Sequence, residues 1–238
     1  MTFIVGFHCF NGLVLCADSE ESDTINKTYV DKLFPLDVGD NWRLCFGGSG
    51  DAIAIDKFKA KLSPLPDDKN KRELVVENVL RYMTKIYKGL GFDILLAEAE
   101  IEKQQTYLYC TYGEDTRLRP IDLGKFACSG MDTSLAQFLL GSAFDCLMGI
   151  DEAMKLGIWV TSLMKIHTSH VSGPTMAFSY KKGGSKWERH YTSEIAEIEN
   201  KYPVGEAQQL LRNYWIGRNP EIWKITDGAP IRDAAFNL

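Results

Sequence analysis

Residues 2–19 read TFIVGFHCFNGLVLCADS and contain the clearest indication of the fold in the chain. Two runs of β-forming residues flank the dipeptide Asn11-Gly12, which favours a type I′ turn because both central residues of that turn need positive φ. The stretch therefore predicts a hairpin with strands at 3–10 and 13–19. Apolar residues occupy both faces of the first strand, which indicates a sheet that is covered on both sides.

The register of this hairpin can be worked out from the turn. With Asn11 and Gly12 as the two loop residues, Thr2 falls opposite Glu21, and Asp18 falls opposite Val5. Asp18 then lies three residues up the sheet from Thr2, roughly 10 Å at about 3.4 Å per residue. Strict alternation also puts the two side chains on opposite faces, so this register predicts no direct contact between them.

The rest of the chain alternates between groups of strands and groups of helices. Strands are predicted at 32–37, 42–46, 94–101, 106–112, 175–180 and 186–192. Helices are predicted after the glycine-rich segment 47–50 and at 74–88, 133–146, 151–167 and 206–216. Grouped strands and helices, rather than strict alternation, predict an α+β fold with helices packed outside sheets that cover one another. We expect one domain over 1–238, with a core at 2–183 and a C-terminal extension at 184–238.

Composition narrows the class of protein. Apolar residues make up 45% of the 238 residues and the net charge is −5, so a nucleic-acid or anionic-membrane partner is not expected. No apolar run reaches the roughly 18 to 20 residues of a membrane span, and the first residues lack a signal-peptide pattern. Six cysteines without a Cys-x-x-Cys pair indicate buried free thiols and a cytoplasmic location. We expect no cofactor and no metal, since no such motif is present.

Five segments in order resemble the proteasome β subunits. They are the opening stretch 2–19, KTYVDKLF at 27–34, FGGSGDA at 46–52, ACSG at 127–130 and HTSHVSG at 167–173. The chain thus resembles the N-terminal-nucleophile (Ntn) hydrolases, whose bacterial members include Anbu-like proteins, β-proteasome homologues and the peptidase of the two-part ATP-dependent protease. The resemblance implies a four-layer α-β-β-α sandwich and a threonine peptidase. It also implies a homo-oligomer, either a ring or a helical array, that degrades peptides or unfolded proteins, with or without an ATPase partner.

The same resemblance assigns the centre of the site. Removal of Met1 leaves Thr2 with a free α-amine, whose ordinary pKa of about 7.7 to 8.0 suits it as the base for its own hydroxyl. Lys32 is expected to stabilise negative charge on that hydroxyl, and Asp18 to hold Lys32. The Gly47 N–H is expected to be the oxyanion donor.

Two serines and one departure complete the assignment. Ser129 and Ser172 match the serines that support the terminal amine in the family. The family has an aspartate three residues before the second serine, and Ser169 stands there instead. His167 and His170 flank this position, and either could compensate for the missing carboxylate.

Ordinary structural roles remain open for each of these residues. Thr2 could be only the second residue of a strand, Asp18 a strand-end residue and Lys32 a solvated lysine. Cys45 is expected near the pocket for the residue before the cleaved bond, giving it an apolar lining, and Glu21 could attract a basic residue there. Two other functions remain open: a small-molecule amidase, and a non-catalytic assembly subunit that keeps its initiator methionine.

Overall fold

The computed structural model describes residues 2–22, 27–62, 64–86, 92–112, 115–130, 133–168 and 171–201. Its strands are β1 (Phe3–Cys9), β2 (Gly12–Asp18), β3 (Glu20–Ser22), β4 (Lys27–Tyr29), β5 (Leu33–Val38), β6 (Trp42–Gly50), β7 (Phe92–Glu100), β8 (Gln105–Tyr112), β9 (Asp115–Ile121), β10 (Lys125–Gly130), β11 (Thr175–Lys181) and β12 (Glu188–His190). Its helices are α1 (Ala52–Lys61), α2 (Lys69–Ile86), α3 (Thr133–Ala143), α4 (Ile150–His167) and α5 (Thr192–Lys201). The helix predicted at 206–216 lies outside the described residues.

Two antiparallel five-stranded sheets organise the described part of the chain. The first has the order β10-β1-β2-β11-β12 and the second the order β5-β6-β7-β8-β9, while β3 and β4 form a separate ribbon. Together with the five helices they confirm the predicted α+β class. The strands β9 and β10 were not predicted, because their apolar residues alternate too weakly to stand out. The helix α5 was not predicted either, and the strand predicted at 186–192 extends to its first residue.

Apolar packing divides the interior into three clusters. In one cluster Phe7 packs with residues of α3 and α4 on one face of the first sheet. A second cluster joins the two sheets, for example through Ile4 and Leu95. The third packs α1 and α2 against the second sheet, with Phe58 against Phe46 at 5.6 Å between ring centroids. Burying each such side chain contributes about 1.5 to 3 kcal/mol.

The hairpin β1–β2 occupies the centre of this arrangement. All seven residues of each strand are buried, which confirms the expectation from its two apolar faces. The reason is its position, because α4 packs on one face of the hairpin and the second sheet on the other. The N-terminal end of β1, where Thr2 lies, therefore belongs to a strand that is packed on both faces.

The predicted register of this hairpin is wrong by two residues. Cys9 pairs with Gly12 and Ile4 with Ala17, so the turn residues are Phe10 and Asn11. A contact with a residue distant in the sequence stabilises Asn11 in the turn, because its Oδ1 accepts the Ile150 N–H at 3.0 Å at the start of α4. The observed pairing places Asp18 beside Phe3 rather than beside Val5.

The glycine-rich segment before α1 is the end of a strand. β6 continues to Gly50, and Asp51 then caps α1 by accepting the Ala54 N–H at 2.8 Å. An aspartate is a favoured residue at this position because its carboxylate satisfies a free N–H of the first helical turn. The strand and the helix therefore meet without a loop, and this junction lies beside Thr2.

The described cysteines are free thiols. Five are buried, and Cys146 is exposed, which differs from the prediction that all six are buried. None of the helices in the described ranges is both long enough and apolar enough to cross a membrane.

Candidate active site around Thr2

Thr2 lies at the N-terminal end of β1 and lines a pocket of about 440 Å³. Its side chain is almost covered, with a relative exposure of 7%. The pocket is formed by Thr2, the segment before β5, the end of β6 and the start of α1. Its lining residues are Thr2, Val30, Asp31, Lys32, Phe34, Gly48, Gly50, Asp51, Ala52, Ile53, Ile55 and Asp56.

The Asp18 carboxylate joins two parts of this site. Its Oδ1 accepts the Phe3 N–H at 2.8 Å, and its Oδ2 accepts a hydrogen bond from the Lys32 Nζ at 2.9 Å. Both side chains are buried, with exposures of 0% for Asp18 and 6% for Lys32. The Lys32 Nζ also donates to the Glu20 carbonyl. One carboxylate therefore fixes both the residue that follows Thr2 and the lysine that shares its pocket.

Burial and neighbouring charge act on Asp18 in opposite directions. Burial raises the pKa of the Asp18 carboxyl, while the Lys32 charge and the N–H groups of Phe3 and Ser172 lower it, and the net change is upward. A charged partner and two N–H donors are what an ionised carboxylate needs when it is removed from water. The Asp18–Lys32 pair is thus a polar unit inside an apolar surrounding.

Ser172 contacts this unit from the segment before β11. Its hydroxyl donates to the Glu20 Oε2, and its carbonyl accepts the Glu20 N–H at 3.0 Å. Its own N–H is one of the donors that lower the pKa of Asp18. Ser172 therefore supports Asp18 and Glu20 directly. Nothing in the sequence pattern had singled out Glu20, because it is one of two consecutive glutamates at a strand end.

Ser129 contacts two other residues that the sequence analysis missed. Its hydroxyl lies 2.6 Å from the Ser49 Oγ and donates to the Asp93 Oδ2 at 3.2 Å. These contacts tie β10 to the second sheet through β6 and β7. Asp93 left no distinctive signal in the sequence, because it is one of three carboxylates in the strand 92–100.

Gly130 brings β10 close to Thr2. Its φ is 117°, a conformation that favours glycine, and a Cβ at this position would lie 1.9 Å from the Thr2 carbonyl oxygen. Phe3 pairs with Gly130 and Ile4 with Ser129. The small residue is therefore what allows β10 to pack against the first residues of β1.

Gly47 lies inside the second sheet rather than on the pocket wall. It pairs with Leu33 on one side and Leu95 on the other, and a Cβ there would lie 2.9 Å from Ile4 Cδ1. The glycines that line the pocket are Gly48 and Gly50. The lack of space around Gly47 in the sheet thus explains why a glycine occupies this position. That its N–H is the oxyanion donor remains a prediction.

Two of the remaining predicted positions, His167 and Cys45, do not line the pocket at Thr2. Ser169 and His170 fall outside the described residues, and His167 is an exposed residue at the end of α4. Cys45 is fully buried between the two sheets and does not line the pocket, so its expected contribution to the lining is wrong. The reason is alternation along β6, because Cys45 faces the inter-sheet core.

A second pocket adjoins the first. It has a volume of about 650 Å³, lies between the segment before β5 and strand β12, and shares Val30 and Asp31 with the pocket at Thr2. Within the ranges that the structure describes, no group of three His, Cys, Asp or Glu side chains is arranged to bind a metal ion.

Comparison with protein families finds no match, and comparison with curated proteins finds none either. Solved structures do match. Anbu (ancestral beta-subunit) from Yersinia bercovieri is 12% identical with a TM-score of 0.74, over 87% of this chain and 96% of that one. The Anbu (Gly-1) mutant from Hyphomicrobium sp. strain MC1 is 16% identical with a TM-score of 0.73, over 88% and 96%.

A further match is a structure of the helical assembly of the Anbu complex from Pseudomonas aeruginosa. It is 15% identical with a TM-score of 0.73, and the alignment covers 88% of this chain and 96% of that one. Identities of 12% to 16% say little about individual residues, whereas TM-scores above 0.7 over most of both chains describe a common architecture. The chain therefore has the fold of the Anbu proteins.

Proposed function

We propose that this chain is a threonine peptidase of the N-terminal-nucleophile type, acting in the cytoplasm after Met1 has been removed. The observation that carries the proposal is the Asp18 carboxylate, which binds the Phe3 N–H with one oxygen and Lys32 with the other. This geometry holds a buried lysine in the same pocket as Thr2. The two face-to-face sheets with helices outside them support the four-layer α-β-β-α sandwich that such hydrolases adopt.

The proposed chemistry needs a free amine on Thr2. In the mature chain the Thr2 hydroxyl attacks the carbonyl carbon of a peptide bond, and the α-amine of the same residue accepts the hydroxyl proton. A peptide nitrogen cannot accept this proton, so the chain is inactive while Met1 is attached. Lys32 favours the neutral amine and stabilises the developing negative charge on oxygen, because a nearby cation disfavours a second positive charge.

The remaining assignments belong to the same proposal. Gly47 supplies the oxyanion N–H, and Ser129, Ser172 and Ser169 support the amine. Ser129 hydrogen-bonds to Asp93 and Ser172 to Glu20, so each of these serines has a carboxylate partner. We propose that these carboxylates take over the role of the aspartate that Ser169 replaces.

Self-assembly is the second part of the proposal. The Pseudomonas aeruginosa protein with this fold is described as a helical assembly. We propose that this chain also forms a homo-oligomer, because an enclosed site would restrict cleavage to peptides and unfolded proteins. Electron microscopy of the purified protein at several concentrations would detect it, and a strictly monomeric protein would contradict this part alone.

Proteolysis by the Met1-free protein tests the catalytic part. We expect cleavage of an unfolded substrate such as casein by the wild type and by Thr2→Ser, which keeps a hydroxyl and an amine on one residue. Thr2→Ala is expected to be inactive while keeping the fold. Equal cleavage by Thr2→Ala would overturn the proposal, and so would no cleavage of either peptides or casein by protein whose intact mass shows complete loss of Met1.

A further inference from the structure

The pocket at Thr2 has two kinds of lining. One part is apolar and the other acidic, and the two parts meet on helix α1. The apolar residues are Val30, Phe34, Ala52, Ile53 and Ile55, and the acidic residues are Asp31, Asp51 and Asp56.

The positive charge in the lining is already neutralised. Lys32 is the cation that lines the pocket, and its Nζ is held by Asp18 at 2.9 Å. Lys59 lies over the ring of Phe34, with its Nζ 3.9 Å from the centroid, but it does not line the pocket. Among the side chains that line the pocket, carboxylates therefore outnumber ammonium groups by three to one.

The three aspartates differ in how much of this charge is free. Asp31 forms an exposed ion pair with Arg189 at 3.1 Å, and Asp51 uses one oxygen to cap α1. Asp56 is exposed and forms no ion pair with any residue in the described ranges. Asp56 is thus the acidic group with the most capacity to bind a cation.

Ile53 places apolar surface next to Asp56. The two residues are three apart on α1, so they lie on the same face of the helix. Ile53 is 61% exposed although it lines a pocket, whereas Ile55 is buried behind it. A long apolar chain that ends in a cation fits such a surface, because lysine and arginine lay their methylene groups along apolar surface and keep the charged end outside it.

We propose that this pocket binds a lysine or arginine side chain of the substrate, namely the residue that precedes the cleaved bond. The methylene groups contact Ile53, Ile55 and Phe34, and the charged end lies near Asp56 and Asp51. The statement that this side chain precedes the cleaved bond rests on the proposed function. The preference of the pocket for a cationic side chain can be measured without cleavage.

Binding to Thr2→Ala protein separates recognition from cleavage. The probes are acetyl-Ala-Ala-Xaa amides in which Xaa is lysine, norleucine or glutamate, with norleucine matching the lysine stem without its charge. An exposed ion pair contributes a factor of about 1.4 to 5 in affinity, so contacts with both Asp56 and Asp51 should make the lysine peptide bind roughly twofold to thirtyfold more tightly than the norleucine peptide. Equal or tighter binding of the norleucine peptide would overturn the inference.

Variants assign the preference to the pocket. In the Thr2→Ala background, Asp56→Asn should reduce the lysine-to-norleucine ratio about twofold to fivefold, and Asp56→Lys should reverse it. Asp40→Asn is the matched control, because Asp40 is exposed in the turn before β6 and does not line the pocket. The same loss of preference in Asp40→Asn and Asp56→Asn would show a general charge effect and contradict the proposal.

Peptide cleavage by the wild type tests the proposed function and the pocket preference separately. If the lysine peptide binds preferentially but no peptide is cleaved, the proposed function fails and the pocket preference stands. If substrates with lysine and norleucine before the cleaved bond have equal kcat/KM, the pocket preference fails and the proposed function stands.

Discussion

Two buried ion pairs in this molecule have similar chemistry and different surroundings. Arg72 and Glu98 are both 0% exposed and form two parallel bonds of 3.1 and 3.2 Å. The guanidinium lies 3.8 Å from the ring centroid of Trp42 and donates to two backbone carbonyls just before α2. In the other pair, Asp18 and Lys32, the lysine lines an open pocket beside the proposed nucleophile.

The difference shows what separates a structural pair from a functional one. Asp18 and Glu98 are both buried, and burial raises the pKa of both carboxyl groups, so neither property identifies a functional site. The guanidinium of Arg72 is enclosed by protein groups, whereas Lys32 reaches a cavity. We infer that the Arg72 pair serves the packing of α2 and the Lys32 pair serves chemistry.

Removing both charges of the Asp18–Lys32 pair should produce the largest effect. We expect Asp18→Asn/Lys32→Met to lower kcat/KM for peptide cleavage by about 10³-fold, within the usual range for a positioned catalytic group. Its free energy of unfolding should stay within about 1.5 kcal/mol of the wild type, since no unpaired buried charge remains. Peptide kinetics and denaturant unfolding of the same preparations check this. A double variant that keeps its peptidase activity would contradict a functional role of the pair.

Breaking the Arg72–Glu98 pair should affect stability instead. Arg72→Met alone is expected to lower the free energy of unfolding by about 3 to 5 kcal/mol, because it leaves a buried carboxylate without its partner. Arg72→Met/Glu98→Met should recover most of that loss, and its kcat/KM should match the wild type. A folded Arg72→Met/Glu98→Met protein that has lost activity would show that this pair also serves the site.

A third pair, half-buried, should give the smallest effect. Burial raises the pKa of the Glu199 carboxyl, but hydrogen bonds from Thr175, Lys165 and Ser162 and the Lys165 charge outweigh it, and the net pKa is lowered. The stability that Glu199 contributes is therefore present above its unfolded pKa, near 4.3, and is lost as pH falls through the folded value.

Glu199→Gln should accordingly lower the free energy of unfolding by less than about 1 kcal/mol at pH 7. The difference from the wild type should shrink as the pH falls below 4. Denaturant unfolding at pH 7, 5 and 3.5 measures it, with Glu197→Gln, an exposed position on the same helix, as the control. A difference that grows in acid would contradict the assigned direction of the pKa.

The sequence predicted the fold better than the contacts in the site. The apolar faces of β1 and β2 predicted a covered strand pair, and the helical spacing of residues such as Leu80 predicted α2. The register failed because Asn11 bonds to the start of α4, a contact between residues 139 apart. Turn preferences are local, and they could not include that contact.

The predicted site was also incomplete for a physical reason. Asp18 and Lys32 were paired only through the family resemblance, and the structure brings them within 2.9 Å. Glu20, Ser49 and Asp93 were missed, because the partner of each is distant in the sequence and no neighbouring residue indicates it. Polar networks that join two sheets leave little trace in the pattern of a single chain.

In the proposed mechanism Thr2 carries both the attacking hydroxyl and the base that activates it. A peptide epoxyketone tests this directly, since it forms a stable ring only with a hydroxyl and an amine on one terminal residue. We expect a single adduct, mapped to Thr2 by mass spectrometry of the Met1-free protein, and none on Thr2→Ala. A folded, fully Met1-free wild type that forms no adduct would contradict it.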